Sequence, residues 1–393
     1  MKVALVDTMT KPQFYPVGLL KIASWQKSLG NQCTLFSNSL PPENQFDAAF
    51  VGTTFTFEIP RAIAMIKKIQ ERVKDVTVGG ISATLLPHKF EDLGVNVCKG
   101  LHPDAETFCP DYSILPEPPQ YSICHTSRGC IRKCEFCMVR VLEPKFYNKD
   151  WVRDLAPGTN KIVFYDNNWL AKKREDLEKD CRILKSMKEQ KKLVAVDFNQ
   201  SLDARLMNAE LADIISGIPF SPVRFAFDGM QEDGHFQNAV TLMAERGYKN
   251  FIIDVLWNFN DSPEDLFYRL REHSRLTEEL SESLHRNVEV KAFPMLYRPI
   301  MEIDTEKEYL GKLWTSAEKQ GFWNLMNHGP SNNGCLSLGG LTEFEYWFGR
   351  NTDEFLRLIN YPSIKKLCER KRANSRFNRK LGLDNPFMIG TGE

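Results

Sequence analysis

The first hundred residues alternate short apolar runs with longer amphipathic stretches. Apolar runs rich in β-branched residues, typical of buried strands, occupy 3–7, 33–37, 46–54, 75–80 and 95–100. Between them, at 17–30 and 59–73, apolar residues recur every three to four positions, as on one face of a helix. Strands that alternate with helices form a parallel sheet that is covered on both faces. The pattern predicts a Rossmann-like, flavodoxin-like α/β domain at residues 1–105.

A proline-rich segment interrupts this pattern, and a second alternation of the same kind follows it. We interpret residues 106–120 as a linker between domains. Six further strand candidates follow, at 121–127, 161–166, 193–198, 223–228, 251–257 and 288–296, with helical stretches between them. This predicts a partial TIM barrel of the (β/α)6 type at 121–300. Residues 301–393 have a mainly helical pattern, and the glycine-rich segment 328–340 within them is long enough to cover an active site.

Small and polar residues follow the predicted strands, where parallel sheets and barrels bind their ligands. In the first domain these are turn residues that let a ligand approach the backbone: Thr53, Thr54, Gly79 and Gly80. In the second domain they mostly carry hydrogen-bonding side chains: Asp166, Asn167, Gln200, Asp228, Trp257, Tyr297 and Arg298. The pattern predicts ligand sites at both sets of strand ends, with plain βα turns as the alternative for the first set.

The composition bounds the cellular setting of the chain. Lys and Arg total 51, as do Asp and Glu, so no overall field draws the chain to nucleic acid or to a membrane. The apolar runs fall short of the roughly 18 residues of a membrane span, and the start MKVALVD lacks the basic head of a signal peptide. We expect a cytoplasmic protein without membrane or nucleic-acid partners. The basic segment 365–380 is then a solvated helix face, with phosphate or nucleic-acid binding as the alternative.

Three of the ten cysteines are clustered. Cys130, Cys134 and Cys137 have the spacing Cys-x3-Cys-x2-Cys and follow the first strand of the predicted barrel. A four-iron cluster usually takes four thiolates, so three cysteines on one loop leave one iron open, and open metal positions are typical of catalytic sites. A zinc site completed by Cys124 or His125 is the alternative.

This cysteine loop, with aromatic Phe136 before its last cysteine, resembles the signature of the radical S-adenosylmethionine (SAM) superfamily. The resemblance continues along the barrel at 165–168, 198–206 and 291–299. It implies a [4Fe-4S] cluster on the three cysteines, whose open iron binds SAM and whose electron cleaves SAM to a 5′-deoxyadenosyl radical that abstracts a substrate hydrogen. It also implies that SAM is contacted by a common set of side chains: Phe136, Asp166, Asn167, Gln200 and Arg205.

The first domain adds a narrower resemblance. Segments 14–25, 50–58 and 76–100 are similar, in order, to the cobalamin-binding domain of the B12-type branch of this superfamily. The resemblance implies cobalamin bound at Thr53, Thr54, Gly79 and Gly80, and methylation of an unactivated carbon. Two departures favour the alternative of a cobalamin-independent radical SAM enzyme that oxidises, rearranges or epimerises a small molecule. KGLHPDAE at 99–106 replaces the branch's Gly-Glu-Gly-Glu stretch, and the connection to the cysteine loop is short.

The remaining expectations concern partners. We expect a small-molecule substrate, and a one-electron donor such as a flavodoxin or a ferredoxin. Four residues after the barrel strands are predicted to face the substrate: Asp228, Trp257, Tyr297 and Arg298. A non-enzymatic iron–sulfur or zinc sensor is the other interpretation, and it predicts a closed metal site that does not respond to SAM. The polar residues at successive strand ends favour the enzyme.

Overall fold

The structure is a computed structural model that describes residues 1–10, 14–300 and 309–374. The chain divides into two compact units. The described residues of unit 1 are 1–10, 14–163 and 299–300, and those of unit 2 are 164–298 and 309–374. The predicted C-terminal region at 301–393, and the basic segment at 365–380, therefore lie partly outside the described residues. The predicted domain boundaries stay predictions.

Unit 1 begins with a five-stranded parallel sheet in the order β2-β1-β3-β4-β5. This is the flavodoxin-like strand order, and the predicted parallel α/β fold is confirmed for this region. The strands are β1 (Lys2–Asp7), β2 (Gln32–Ser37), β3 (Ala48–Gly52), β4 (Asp75–Gly79) and β5 (Asn96–Val97). The helices between them are α1 (Val17–Ser28), α2 (Ile59–Gln70), α3 (Ile81–Leu85) and α4 (His88–Glu91).

The sheet is covered on both faces because β1 is apolar on both. Val3 and Leu5 point to the face covered by α1, where they pack with Leu19 and Ala23. Ala4 and Val6 point to the opposite face, where the apolar positions of α2 to α4 pack on them: Ile59, Ala62, Ile66, Ile69, Ala83, Leu85 and Phe90.

The rest of unit 1 holds the cysteine loop between short strands. Its elements are β6 (Ser122–Cys124), β7 (Ser127–Arg128), α5 (Val139–Leu142) and β8 (Tyr147–Asn148). Strand β9 (Lys161–Phe164) begins in unit 1 and ends in unit 2.

Unit 2 continues the alternation of strands and helices. Its strands after β9 are β10 (Ala195–Phe198), β11 (Val223–Ala226), β12 (Asn250–Trp257) and β13 (Glu289–Leu296). The helices are α6 (Arg174–Glu189), α7 (Ala209–Ile215), α8 (His235–Glu245) and α9 (Pro263–Ser283). Strands β11, β12 and β13 form a parallel sheet. A parallel bridge joins Val196 of β10 to Phe220, and another joins Leu202 to Phe225 of β11. All six predicted strands of the second alternation are present, while closure into a barrel stays a prediction.

Four helices end the described part of unit 2: α10 (Ser316–His328), α11 (Leu341–Phe348), α12 (Thr352–Ile359) and α13 (Ile364–Ala373). Their apolar faces form an aromatic core with Trp314, α9 and one face of the sheet, through side chains such as Phe322, Phe344 and Phe355. The glycine-rich segment 328–340 pairs with the sheet, because Leu336 forms an antiparallel bridge with Ala292 of β13. The segment thereby covers the edge of that strand. Among the described residues, every helix is too short or too polar to span a bilayer.

Candidate functional site

The cysteine loop is closed at its base by an antiparallel pair of strands. Ser127 lies opposite Asn148, and Arg128 lies opposite Tyr147. Gly129 follows with a φ of +76°, and a Cβ atom there would lie 2.3 Å from the carbonyl oxygen of Lys145. Only glycine fits this position without displacing the returning strand, so the loop geometry depends on it.

The three predicted ligands are half-buried on this loop. The N–H of Arg132 donates a hydrogen bond to Sγ of Cys130 over 3.3 Å, and the N–H of Cys137 donates to the carbonyl oxygen of Cys134 over 3.1 Å. Phe136 is also half-buried. None of the ten cysteines forms a disulfide. Each predicted ligand is therefore a thiol on a folded loop, which is the donor chemistry that a [4Fe-4S] cluster requires.

No group of three or more His, Cys, Asp or Glu side chains within residues 1–10, 14–300 and 309–374 is placed to hold a single metal ion. One zinc ion draws its sulfur ligands to about 2.3 Å from a common centre. The three thiols fit a four-iron cluster in the kind of donor, and having one thiolate fewer than the irons leaves one iron open, as the resemblance implies.

The cysteine loop packs on the flavodoxin-like part of unit 1. Met138 and Leu142, at the end of the loop and in α5, pack against the apolar cluster that contains Val78 and Ala83. Loop and sheet therefore belong to one hydrophobic core.

Salt bridges add a second connection, with Glu106 at its centre. Its carboxylate accepts hydrogen bonds from Lys21 over 3.1 Å and from Arg128 over 3.3 Å, and it also contacts Lys149. Arg128 donates to Glu143 over 2.8 Å, and the other carboxylate oxygen of Glu143 accepts from the N–H of Gly129 over 2.8 Å. We call these five side chains the Glu106 network: Lys21, Glu106, Arg128, Glu143 and Lys149.

Burial and charge act in opposite directions in this network. Burial alone would raise the pKa of Glu106, but Arg128, Lys21 and Lys149 outweigh it and lower this pKa to about 2. Burial lowers the pKa of Lys21 to about 8, although Glu106 counteracts it. Burial, and next the charge of Arg128, lower the pKa of nearby His125 well below its usual value. At neutral pH the centre thus holds a carboxylate among cations beside a neutral imidazole.

The predicted cofactor residues of the first domain hold two turns together. The hydroxyl of Thr53 donates to the carbonyl oxygen of Gly79 over 2.9 Å and accepts from the N–H of Ala83. Gly80 has a φ of +101°, and a Cβ atom on it would lie 2.4 Å from the carbonyl oxygen of Thr53. Thr54 is half-buried. The Thr53 hydroxyl and Gly80 are thus used in the turn itself, while cofactor contacts there stay a prediction.

A cavity of about 170 Å³ lies on the α1 side of the sheet, at the carboxyl ends of β3 and β4. Small residues form much of its wall, including Gly52, Gly79, Gly80 and Gly100, and charged residues of the Glu106 network complete it: Lys21, Glu106 and Arg128. A cavity of about 420 Å³ at the opposite edge, lined by residues such as Met1, Gly30 and Asp47, lies at the amino ends of the strands. Parallel sheets bind ligands at carboxyl ends, so the smaller cavity is the candidate site.

In unit 2, polar side chains at the strand ends form a continuous network. Asn168 donates to Asp203 over 3.1 Å, and Arg205 donates to Asp203 over 2.7 Å. Arg205 also lies 3.3 Å from Glu232, which accepts from the N–H of Asp228 over 2.6 Å. The structure therefore brings Arg205 and Asp228 into one network.

Asp228 is the most perturbed acid of this network. Its Oδ1 accepts from the N–H of Leu256 over 3.0 Å. Burial, with the nearby charges of Glu232 and Asp254, raises its pKa to about 8. Burial also raises the pKa of Asp254 to about 6, although Ser201 donates to Asp254 over 2.6 Å. Asp228 is thus mainly protonated at pH 7, and its O–H can donate a hydrogen bond.

Charged residues that were not predicted from the sequence lie on one face of the sheet β11-β12-β13. One face of these strands is buried, whereas the opposite face is only partly buried and carries Arg224, Asp254 and Lys291. Arg224 forms a two-pronged ion pair with Asp197, over 2.7 and 3.0 Å. The sequence signal for these residues is a charged residue inside an otherwise apolar strand.

The other predicted residues of unit 2 lie in varied surroundings. Asp166 is buried, Asn167 is half-buried, and Gln200 and Arg298 are exposed. The Tyr297 ring lies 4.5 Å from the Phe259 ring and 5.3 Å from the Tyr309 ring.

Trp257 is only 1% exposed, and its ring packs against Trp314 and Phe322 in the aromatic core. This position gives Trp257 a packing role. A contact with substrate stays a prediction for it, as it does for Tyr297 and Arg298.

Comparison with known proteins identifies structural neighbours only. No protein-family model matches the chain, and no curated protein sequence matches it. A solved structure of TsrM from Kitasatospora setae, a radical SAM methyltransferase with cobalamin and a [4Fe-4S] cluster bound, superposes with a TM-score of 0.55. The identity is 12%, and the match covers 78% of each chain. TsrM with tryptophan substrate and the SAM analogue aza-SAM superposes with a TM-score of 0.53 at 13% identity, over 68% of this chain and 70% of TsrM. The chain therefore folds like a cobalamin-type radical SAM methyltransferase, as the sequence resemblance implies.

Proposed function

We propose that the chain is a radical SAM enzyme that holds a [4Fe-4S] cluster on Cys130, Cys134 and Cys137 and uses cobalamin to methylate an unactivated carbon of a small molecule. When bound, the cluster supplies the electron that cleaves SAM to a 5′-deoxyadenosyl radical, and cobalamin supplies the methyl group. The observation that carries the proposal is the placement of the cysteine loop and a carboxyl-end cavity in one compact unit. The TsrM-like fold supports it.

The residues of the loop suit the cluster in three ways. The three thiols share one loop, Gly129 lets that loop close on its base, and the N–H of Arg132 reaches the sulfur of Cys130. Hydrogen bonds to ligand sulfurs tune the reduction potential of a cluster. We assign Phe136, half-buried beside Cys137, to the adenine of SAM, as the resemblance implies.

For cobalamin, we propose the cavity at the carboxyl ends of β3 and β4. Its glycine-rich wall lets a ligand approach the backbone, and Gly79 and Gly80 belong both to this wall and to the predicted cofactor set. The volume of about 170 Å³ suits part of a cobalamin molecule, with the remainder outside the cavity.

In unit 2 we assign the substrate to the partly buried, charged face of β11, β12 and β13. Asp228 donates a hydrogen bond there while it is protonated, and Asp254 accepts one beside Ser201. TsrM binds tryptophan, so a small molecule with a charged group suits a face that carries Arg224, Asp254 and Lys291. The predicted SAM contacts are kept as part of this proposal: Asp166, Asn167, Gln200 and Arg205.

The electron must come from outside the chain. A flavodoxin or ferredoxin fits this requirement, because each transfers one electron at a time. A chemical reductant takes the place of this donor in vitro.

The radical step is tested by anaerobic reconstitution with iron, sulfide, SAM and dithionite. We expect 5′-deoxyadenosine, measured by chromatography, from the wild-type chain. We expect none from the variant with Cys130→Ala, Cys134→Ala and Cys137→Ala. The matched control is Cys33→Ala, which removes a half-buried thiol of β2 outside the loop and should retain the wild-type yield. Absence of product from the wild type, or equal yield from the triple variant, contradicts the radical assignment.

The cobalamin part is tested by the absorbance spectrum of anaerobically purified protein. We expect corrin absorbance after purification, or uptake of hydroxocobalamin that survives desalting. A chain that retains none is the cobalamin-independent enzyme. Two observations favour that second candidate: the cavity is small for a cofactor of this size, and Glu106 of the divergent KGLHPDAE stretch is engaged by three cations. A sensor would instead show a cluster whose electron paramagnetic resonance (EPR) spectrum is unchanged by SAM.

A further inference from the structure

Arg128 contributes to two features of unit 1. It lines the cavity of the flavodoxin-like part, and it is the last residue before Gly129 at the base of the cysteine loop. Its side chain is only 9% exposed. A buried guanidinium with partners on both sides fixes those partners relative to each other, because its five N–H groups have a rigid planar arrangement.

The two terminal nitrogens of Arg128 divide between the two sides. Nη2 donates to Glu106 of the cavity wall over 3.3 Å, and Nη1 donates to Glu143 over 2.8 Å. Glu143 in turn accepts a hydrogen bond from the N–H of Gly129 over 2.8 Å. One carboxylate therefore binds both the side chain of Arg128 and the backbone of Gly129, and we call this pair of contacts the grip on the loop. The chain of contacts thus runs without a gap from the cavity to the residue before Cys130.

The third nitrogen of Arg128 is unused. Its Nε is buried and has no hydrogen-bond partner among the residues that the structure describes. A buried N–H without an acceptor is unfavourable, and an oxygen that reaches it gains a hydrogen bond to a charged donor. Arg128 lines the cavity, so an amide or phosphate oxygen of a ligand there is a candidate acceptor for this donor.

We propose that Arg128 is a positioning residue that couples occupancy of the cavity to the placement of the cysteine loop, with Glu143 as its grip on the loop and Glu106 as its contact to the cavity wall. This proposal rests on the proposed function for the identity of the ligand, an oxygen-rich cofactor such as cobalamin. The grip of Arg128 and Glu143 on the loop does not depend on any cofactor.

The grip is tested by hydrogen exchange and mass spectrometry on the chain without cluster or cobalamin. Glu143→Gln keeps the size of the side chain and removes its charge, so we expect amides of residues 129–138 to exchange about tenfold faster. Glu91→Gln is the matched control, because Glu91 forms an exposed ion pair with Lys99 in the same unit. We expect wild-type exchange in this control. Equal exchange in Glu143→Gln and the wild type overturns the grip.

The coupling is tested by the same measurement with and without hydroxocobalamin. In the wild type, we expect the ligand to slow exchange at 129–138. In Arg128→Lys, which keeps the charge but has no fork of donors, we expect ligand retention without slower exchange. Ligand that is retained by the wild type but leaves its loop unchanged overturns the coupling.

Two outcomes separate the coupling from its premises. A wild-type chain that retains no hydroxocobalamin removes the cobalamin part of the proposed function, and the coupling with it, while the Glu143→Gln result still decides the grip. If Arg128→Lys melts well below the wild type, the coupling is tested with Glu106→Asp instead. The shorter aspartate side chain retains the negative charge but withdraws the carboxylate from Arg128. Ligand-dependent protection equal to that of the wild type in this variant overturns the role of Glu106.

Discussion

The backbone N–H of Arg132 donates a hydrogen bond to Sγ of Cys130 across 3.3 Å. The donor lies two residues after the acceptor, so the fold of the loop itself provides the contact. A reduced iron–sulfur cluster carries one more negative charge than the oxidised one, and a donor on a ligand sulfur stabilises the reduced form. The loop is therefore built to raise the potential of the cluster that we propose for it.

Arg132→Pro should lower the reduction potential of the reconstituted cluster, because proline has no N–H to donate. A shift of about 20 to 60 mV corresponds to one hydrogen bond in a one-electron couple. Arg132→Ala is the control, since it removes the side chain and keeps the N–H. The potential is measured by an EPR-monitored redox titration. Equal potentials in the two variants, with equal iron content, contradict a role for the hydrogen bond.

Gly129→Ala should open the base of the cysteine loop. The added Cβ meets the Lys145 carbonyl oxygen at 2.3 Å in a backbone conformation that alanine disfavours, so we expect the free energy of unfolding to fall by about 3 kcal/mol. Gly158→Ala separates the cost of the backbone conformation from the cost of the steric clash. Gly158 has a φ of +77° with no atom within 4 Å, so its replacement should cost only about 1 kcal/mol. Denaturant unfolding measures both, and equal losses would show that the clash is relieved.

The strands were predictable because their signal is local. Residues 3–7 show no alternation of buried and exposed positions, because every one of them is buried. Such a run is typical of a strand covered on both faces. The cysteine loop was predictable for the same reason, because its spacing lies within eight residues of sequence.

Contacts between distant segments were not predictable in this way. Glu106 meets Lys21 from 85 residues away and Arg128 from 22 residues away, so the divergent KGLHPDAE stretch gave no sign of its partners. Trp257 was predicted to face substrate because it ends a strand. Strand alternation places its ring on the same side as Val255, in the aromatic core, and a contact with substrate stays a prediction. The cross-strand neighbours of Asp254 were not predictable, because strand register, which aligns it with Ala226 and Phe293, depends on the neighbouring strands.

Glu106→Gln should destabilise the chain at neutral pH, with an effect that disappears in acid. The pKa of Glu106 falls from about 4.5 in the unfolded chain to about 2 in the fold, because Arg128, Lys21 and Lys149 outweigh burial. The folded state thus favours the charged form, and this stability is present above pH 4.5 and lost as the pH falls toward 2. We expect the free energy of unfolding of Glu106→Gln to be about 3 kcal/mol lower than that of the wild type at pH 7. Denaturant midpoints at pH 7, 5 and 3 measure it, with Glu91→Gln as the exposed control, and a loss that stays constant with pH contradicts the assignment.

Asp228→Asn should have the opposite pH dependence. Burial and the charges of Glu232 and Asp254 raise the pKa of Asp228 from 3.8 to about 8, so the folded chain binds a proton that the unfolded chain has released above pH 4. Stability from this group is therefore complete below pH 4 and is lost as the pH rises toward 8. Asparagine keeps an oxygen for the N–H of Leu256 and cannot ionise.

The free energy of unfolding of Asp228→Asn should therefore increase relative to that of the wild type as the pH rises. We expect a relative gain on the order of 3 kcal/mol between pH 5 and pH 8. Melting and denaturant curves at pH 5, 6.5 and 8 measure it. Asp353→Asn, at an exposed position of α12, controls for the general effect of losing a carboxylate and should show a constant difference. Parallel pH profiles for Asp228→Asn and the wild type would mean that Asp228 is ionised in the fold, and its role as a hydrogen-bond donor to substrate would then be lost.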